Sequence, residues 1–116
     1  MISKVNRGEI WLVDLNPTLG HEQGGTRPCL VISDNMLNHG PADLAIVIPI
    51  TTKDKGIASH VRLDPPEGGL REVSFIKTED IRSVSVSQRF VKRRGVIEMS
   101  TLQKVERNLG FLLRLI

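Results

Sequence analysis

A small, mainly β protein, an antiparallel barrel with one C-terminal helix, is the fold that the sequence predicts. The chain has 116 residues, of which 40% are apolar, and this is enough for one domain, residues 1–116, around one core. Short runs of apolar and β-branched residues are separated by glycines, prolines and asparagines, which is typical of small all-β folds. Helical periodicity is confined to the last segment.

Six short strands are predicted before that helix. Glu9–Leu15 alternates imperfectly between apolar and polar residues, whereas Pro28–Ser33 is a continuous apolar run, which indicates burial on both faces. Pro49, near the end of the third strand, indicates an edge position or a bulge. The other predicted elements are strands at Leu44–Ile50, Ala58–Leu63, Glu72–Ile76 and Ile81–Val86, a helical turn at Asn35–Asn38 and a brief apolar link at Gly95–Ile97.

The terminal helix has the clearest pattern. Ser100 is its predicted N-cap, and Gln103 completes a capping box. One apolar stripe, expected to pack on the core, follows at spacings of 3, 4, 3 and 4 residues: Leu102, Val105, Leu109, Leu112 and Ile116. Additional apolar side chains at Phe111, Leu113 and Leu115 either pack deeply or form a dimer face.

Composition argues against several classes of protein. Met1–Gly8 has two basic residues and no apolar segment behind them, so no signal peptide is expected. No run approaches the roughly 18 apolar residues of a membrane span, so we expect a cytoplasmic protein without a membrane partner. Cys29, the only cysteine, is interpreted as a small buried hydrophobe. The three histidines lack metal-ligand spacing, so no metal or other cofactor is expected.

Basic charge is unevenly distributed. The net charge is +3, and 13 residues without an acid contain Arg82, Arg89, Lys92, Arg93 and Arg94. Two interpretations of this run are open, a solvated basic loop and a patch that contacts phosphates. Aromatic residues are few, and Trp11 is assigned to the core, so any nucleic-acid binding would depend on charge and hydrogen bonds rather than base stacking.

The loop Gly20–Arg27 is the first candidate site. Its glycines let backbone N–H groups approach a ligand, and Arg27, at the start of a strand, presents a planar set of donors that suits a phosphate. The alternative is that Arg27 forms a loop-closing ion pair with Glu22.

Two further segments have a functional and an ordinary interpretation. Pro49–Lys53 places two hydroxyls and an amine at a strand end, where they suit an anion, but threonine is also common in strands. Lys77–Ser83 mixes acidic and basic residues, and solvated surface is the simpler interpretation.

Two long motifs resemble the MazF/PemK family of toxins from bacterial toxin–antitoxin pairs. They are Arg7–Pro17 (RGEIWLVDLNP) and Gly20–Pro28 (GHEQGGTRP), and the second is especially similar to the PemK (Kid) branch. Two later family marks correspond to Ile48–Thr52 (IPITT) and Glu79–Ser83 (EDIRS), so the resemblance covers nearly the whole chain.

The resemblance implies a fold, an activity and partners. The fold would be an SH3-like barrel with a C-terminal helix, working as a homodimer. The activity would be metal-free, sequence-specific cleavage of single-stranded RNA that blocks translation, with attack by the 2′-OH yielding a 2′,3′-cyclic phosphate and a 5′-OH. The partner would be a cognate MazE/PemI-like antitoxin with a disordered C-terminal tail. A runner-up function is that of the CcdB toxins, which share the fold but bind gyrase, and a plain SH3-like binding module is a third.

The resemblance implies catalytic roles for three residues, Arg27, Thr51 and Glu22. Arg27 would clamp the scissile phosphate, and Thr51 would donate a hydrogen bond to a non-bridging oxygen. Glu22 corresponds to the glutamate of the loop motif and is slightly favoured as the general base, although it could instead orient Arg27.

Further acid–base candidates lie in the loop motif and in the region around Glu79–Ser83. Glu79 and Lys77 occupy the positions that have acid–base roles in the PemK branch, where aspartate and arginine are usual, and His21 matches the loop histidine of that branch. The general base therefore stays open among Glu22, Glu79 and His21. Recognition of the RNA bases is expected from a set of polar residues: Gln23, Ser33, Thr52, Lys53, Lys77 and Arg82.

Overall fold

The computed structural model describes residues 4–116, so the first three residues of the Met1–Gly8 segment lie outside the described part. Seven strands are present, at β1 (Glu9–Asp14), β2 (Thr26–Val31), β3 (Leu44–Thr51), β4 (His60–Leu63), β5 (Ser74–Lys77), β6 (Arg82–Ser85) and β7 (Phe90–Val96). Three helices are α1 (Asn35–Asn38), α2 (Val86–Arg89) and α3 (Met99–Leu112), and 3₁₀ turns occupy Glu67–Gly69 and Thr78–Asp80. The predicted class, mainly β with a C-terminal helix, is confirmed.

The strands form one antiparallel sheet that is not a closed barrel. Its order is β4-β5-β3-β2-β1-β7, and β6 pairs with the first half of β3. The edge strands β4 and β7 do not pair with each other in the described chain. Other elements cover them instead, since α3 packs on β4 and the turn Glu67–Gly69 packs on β7. The predicted strands and helix are therefore present, and they form an open rather than a closed sheet.

Strand β3 is central, so the prediction of an edge position for Pro49 is wrong. On one side β3 pairs with β2 from Val47 to Pro49. On its other side it pairs with β6 up to Val47 and with β5 from Ile50 onward. Pro49 lies in the gap between those two partners, where a missing backbone N–H breaks no ladder on that side.

Both faces of the central strands are buried, as the apolar run in β2 predicted. One core contains Leu30 and Ile48 with Leu102, Val105 and Leu109 of α3. The opposite core contains Cys29, Val31 and Val47 with Trp11 and Phe90, whose rings meet edge to face with centroids 5.6 Å apart. Alternate residues of a strand point to opposite faces, so continuous apolar runs supply both cores. Trp11 is a core residue as predicted.

The basic run Arg89–Arg94 ends helix α2 and forms most of β7, so it is not a loop. Arg89 donates hydrogen bonds to the carbonyls of Asp14 and Asn16. Arg93 Nε lies 2.7 Å from a carboxylate oxygen of Glu9. Arg89 and Arg93 therefore stabilise β1 and the sheet edge.

Helix α3 begins differently from the prediction. Its N-cap position is Glu98, which makes no side-chain capping bond, so the predicted cap at Ser100 is wrong. Instead, the Glu67 carboxylate of the 3₁₀ turn caps the helix. It accepts hydrogen bonds from the Glu98 backbone N–H at 2.9 Å and from the Thr101 hydroxyl at 2.6 Å. A carboxylate is favourable there because the helix N-terminus carries partial positive charge.

The apolar stripe of α3 is buried only in its first part. Leu102, Val105 and Leu109 are buried, but Leu112 and Ile116 are 46% and 77% exposed, contrary to the prediction. The helix ends at Leu112, so Ile116 no longer follows its periodicity. Phe111, Leu113 and Leu115 are also exposed, which leaves an uncovered apolar surface at the C-terminus.

Replacing Glu67 should weaken the start of α3. Glu67→Ala removes the acceptor for two donors, and we expect a loss of about 1–2 kcal/mol in the free energy of unfolding, measured by urea denaturation. The control Glu72→Ala removes an exposed carboxylate and should change stability by less than about 0.5 kcal/mol. Equal losses in the two variants would contradict the assigned role of Glu67.

Candidate active site

An open cleft of about 590 Å³ gathers most of the predicted acid–base residues. The β1–β2 loop, the segment after β3 and the 3₁₀ turn after β5 contribute its lining: His21, Glu22, Lys55, Ile57, Lys77, Glu79 and Asp80. The sequence had singled out His21, Glu22, Lys77 and Glu79 separately, and the fold brings these four together. Lys55 and Asp80 were missed as site residues because neither lies in a pattern that distinguishes it from surface charge.

Lys77 is the buried cation of this cleft. Its side chain is 8% exposed, and Nζ lies 3.1 Å from Gln23 Oε1 and 3.8 Å from an Asp80 carboxylate oxygen. Asp80 in turn accepts the Gln23 backbone N–H at 2.8 Å. The interpretation of this segment as solvated surface is therefore wrong for Lys77. The network ties the β1–β2 loop to β5 and occupies the Gln23 amide oxygen.

Glu79 is held in place through both carboxylate oxygens. Ser59 Oγ donates to Oε1 at 2.7 Å, and His60 Nε2 lies 2.8 Å from Oε2. Partial burial alone would raise the pKa of Glu79, but the hydrogen bonds from Ser59 and His60 outweigh it and hold the pKa below its usual value. Glu79 is therefore ionised at neutral pH. Glu22, by contrast, is exposed, and its carboxylate makes no hydrogen bond or ion pair within residues 4–116.

Arg27 and Thr51 stand at corresponding ends of β2 and β3. The pairing of β2 with β3 ends at Cys29 and Pro49, and Arg27 comes two residues before Cys29 while Thr51 comes two residues after Pro49. Arg27 forms no ion pair in the described chain, so the alternative of a pair with Glu22 is not observed; Nε donates to the Gly24 carbonyl instead. Thr51 is only 5% exposed, and its Oγ1 accepts the Lys53 backbone N–H at 3.2 Å. Neither residue is part of the lining of the cleft.

Cys29 lies behind this group and is fully buried. Burial raises its pKa to about 12, and the nearby charges of Arg82, Asp80 and Arg27 change it less. Arg82, a predicted RNA-binding residue, is half-buried, and its guanidinium donates to the Leu15 carbonyl at 3.3 Å. This region therefore supplies structure and positive charge rather than a nucleophilic thiol.

Ser33 does not fit its predicted role in RNA binding. It is 6% exposed, and its hydroxyl bonds to Asn38 and accepts the Ile46 backbone N–H at 2.8 Å. Those contacts join α1 to β3, so Ser33 serves the fold. Thr52 and Lys53, in contrast, are exposed directly after β3.

No metal-binding cluster of three or more His, Cys, Asp or Glu side chains occurs among the residues that the structure describes. Across the same residues, no helix has both the length and the apolar character needed to cross a membrane.

Comparison with known proteins identifies the class of this fold and cleft. Residues 6–113 match the family model described as PemK-like, MazF-like toxin of type II toxin–antitoxin system. The fold is similar to that of MazF from Deinococcus radiodurans, with a TM-score of 0.87 and 28% identity over 97% of this chain and 99% of that one. It is also similar to a chain of the MazE–MazF complex from that organism, with a TM-score of 0.77 and 28% identity over 99% and 100% of the chains.

Two relatives of known activity are similar in sequence. Endoribonuclease EndoA of Bacillus subtilis (strain 168) is 32% identical over 113 residues, which are 97% of each chain. Endoribonuclease PemK of Escherichia coli is 38% identical over 96 residues, which are 78% of this chain and 68% of that protein. The fold and its comparisons define a small toxin of the endoribonuclease class. The chain belongs to the PemK/MazF family of type II toxin–antitoxin systems.

Lys77 should be essential to the cleft's structure. Lys77→Met keeps the length of the side chain but leaves the Gln23 amide oxygen unpaired and Asp80 without its cation, so we expect a stability loss of about 1–3 kcal/mol. Hydrogen exchange at the Gln23 amide should also accelerate. The control Lys53→Met, at an exposed position, should change neither measurement, and an unchanged exchange rate in Lys77→Met would contradict the network.

The Cys29 thiol should be unreactive in the folded protein. With its pKa near 12 and no exposure, almost no thiolate is available at pH 8, so a disulfide reagent should label Cys29 only after unfolding in urea. Rapid labelling of the native protein at pH 8 would show that the site opens.

Proposed function

We propose that this protein is a metal-independent endoribonuclease that cuts single-stranded RNA at specific sequences and thereby inhibits translation. The observation that supports this most is the cleft, where an oriented, ionised Glu79 faces His21, Lys55 and Lys77. RNA carries its own nucleophile, the 2′-OH, so the protein need only move protons and stabilise charge on the phosphorus centre.

The proposed reaction has one bond formed and one broken at phosphorus. O2′ attacks the phosphorus atom while its proton passes to the Glu79 carboxylate. The bond from phosphorus to O5′ breaks, and O5′ takes a proton from His21, since an imidazole that lines the cleft is a usual proton donor for a leaving oxygen. The products are a 2′,3′-cyclic phosphate and a 5′-OH. DNA, which lacks the 2′-OH, is not a substrate by this route.

What supports Glu79 over Glu22 as the proton acceptor is its position. Two donors hold the Glu79 carboxylate, and its four lone-pair directions leave room for a further hydrogen bond from RNA. The unpaired, exposed Glu22 has no such support and is assigned to binding at the rim of the cleft.

Arg27 and Thr51 are proposed to act together at the phosphate. Arg27 has guanidinium donors beyond the one used by Gly24, and Thr51 Oγ1 accepts from Lys53 while its own proton remains available. Arg27 would bind the non-bridging oxygens, with Thr51 donating at the strand end. Thr52, Lys53 and Gln23 would contact the flanking nucleotides.

The proposed assembly is a cytoplasmic homodimer neutralised by a MazE/PemI-like antitoxin. The exposed apolar residues at the C-terminus, Phe111, Leu113 and Leu115, are of the kind that a second copy covers. A solved MazE–MazF complex with 28% identity supports an antitoxin partner. A disordered, acidic antitoxin tail would compete with RNA for the cations of the cleft.

Cleavage of a long RNA in EDTA tests the proposal. We expect discrete cuts bearing cyclic phosphate, blocked when the nucleotide before the cut is 2′-deoxy. Arg27→Ala should reduce the rate about a hundredfold or more, since it removes stabilisation of the transition-state charge. The control Arg71→Ala removes an exposed arginine outside the cleft and should cleave as the unmodified protein does.

Two outcomes would overturn this assignment. Intact RNA across a wide range of sequences would favour a protein target, as for the CcdB toxins. Cuts that persist in Arg27→Ala, or that leave a 3′-OH, would exclude the proposed chemistry.

A further inference from the structure

The clearest feature not explained by the proposed reaction is His60, a buried histidine on the far side of Glu79. Its side chain is 3% exposed, yet Nε2 is 2.8 Å from Glu79 Oε2. His60 lies on β4 opposite Lys77 in the register with β5. In the sequence, His60 is one of three histidines without metal-ligand spacing.

The hydrogen bonds define the state of the ring. A carboxylate only accepts, so Nε2 must carry the proton that it shares with Glu79. Nδ1 is buried and has no hydrogen-bond partner within residues 4–116. The geometry therefore places a hydrogen on Nε2, which makes the contact with Glu79.

Ser59 completes the arrangement from the adjacent position. Its hydroxyl donates to the other Glu79 oxygen at 2.7 Å. The Ser59 carbonyl accepts hydrogen bonds from the Thr78 hydroxyl and, at 3.0 Å, from Asn108 of α3. Ser59 and His60, which other elements also hold in place, therefore each form a hydrogen bond with one oxygen of the Glu79 carboxylate.

We propose that His60, assisted by Ser59, is a positioning residue that orients the Glu79 carboxylate in the cleft and keeps it ready to accept a proton from RNA. This inference rests on the proposed function. It assigns to His60 no contact with RNA, because the ring is buried behind Glu79. The proposed role depends on the Nε2 donor and its hydrogen bond to Glu79 Oε2.

Other charged groups face the Glu79–His60 pair from two sides. On the cleft side, Glu79 shares its surroundings with His21, Glu22, Lys55, Lys77 and Asp80. On the α3 side, a second cleft of about 310 Å³ brings His60 near Arg62, Lys104 and Arg107. These groups remain in all variants proposed below, so a difference between variants reports the hydrogen bonds to Glu79.

The variant His60→Leu tests the inference without RNA. Loss of the donor should raise the pKa of the Glu79 carboxyl by about one unit, measured by carbon-detected NMR titration. His60→Gln keeps an N–H donor at nearly the same position and should restore most of the difference. Ser59→Ala should raise the same pKa, while the control His39→Gln, on the distant α1 side, should leave it unchanged.

Activity provides the second measurement. The acid limb of kcat/KM reports ionisation of the proton acceptor in the free enzyme, and a carboxyl with a raised pKa becomes protonated at higher pH. In His60→Leu the acid limb should therefore move up by about one pH unit, with kcat reduced more than KM is changed. His60→Gln should restore both, and thermal unfolding should verify that every variant is folded over the pH range used.

The outcomes separate the two proposals. If the unmodified protein cleaves RNA but His60→Leu leaves the Glu79 pKa unchanged, the inference is overturned and the proposed function stands. If the Glu79 pKa rises but the acid limb does not move, Glu79 is not the proton acceptor and His60 has no role in catalysis. If no RNA is cleaved, the proposed function fails, and the NMR result still decides whether His60 controls Glu79.

Discussion

Burial of β3 on both faces is the constraint on which the rest of the molecule depends. A strand with apolar side chains on both sides requires two cores, and these recruit α3 on one face and the Trp11 cluster on the other. The same strand exchanges one partner for another beside Pro49. β5 and β6 thus pair with different halves of β3, and the segments after β3 and β5 line the cleft together with the β1–β2 loop. The position of the cleft thus follows from the hydrogen-bonded partners of β3 and from the burial of its side chains on both faces.

Strand positions could largely be predicted from sequence because alternation and turn residues are local signals. The strands at 9–14, 44–51 and 60–63 lie within two residues of the predicted bounds. Strand β7 was missed because its arginines and lysine resemble solvated loop, and only the fold shows that Glu9 and the carbonyls of Asp14 and Asn16 bind two of those arginines. The start of α3 was misplaced because its capping carboxylate, Glu67, comes from a turn 31 residues before Glu98.

The candidate site shows a similar division between local and distant information. Motif resemblance selected His21, Glu22, Lys77 and Glu79, but no local pattern indicates that Lys77 is buried or that His60 contacts Glu79. Both facts depend on pairing between β4 and β5, which brings together residues far apart in the chain. Ser33 was selected as a polar residue at a strand end, yet its hydroxyl is used within the fold. The sequence shows which chemical groups are present, whereas the burial and hydrogen-bond partners of a side chain depend on the neighbours that tertiary packing supplies.

The glycine contact between the turn Glu67–Gly69 and β7 has a consequence for solubility. A Cβ on Gly69 would lie 2.1 Å from the Arg94 carbonyl oxygen, and one on Gly95 would lie 2.5 Å from the Gly68 carbonyl carbon. Any side chain at either position would force the turn off the strand. The unpaired backbone groups of β7 would then be free to pair with a strand from another molecule, the first step toward intermolecular sheet growth. Because Gly69 and Gly95 have no side chains, the turn can cover edge strand β7 and protect the chain from self-assembly along that edge.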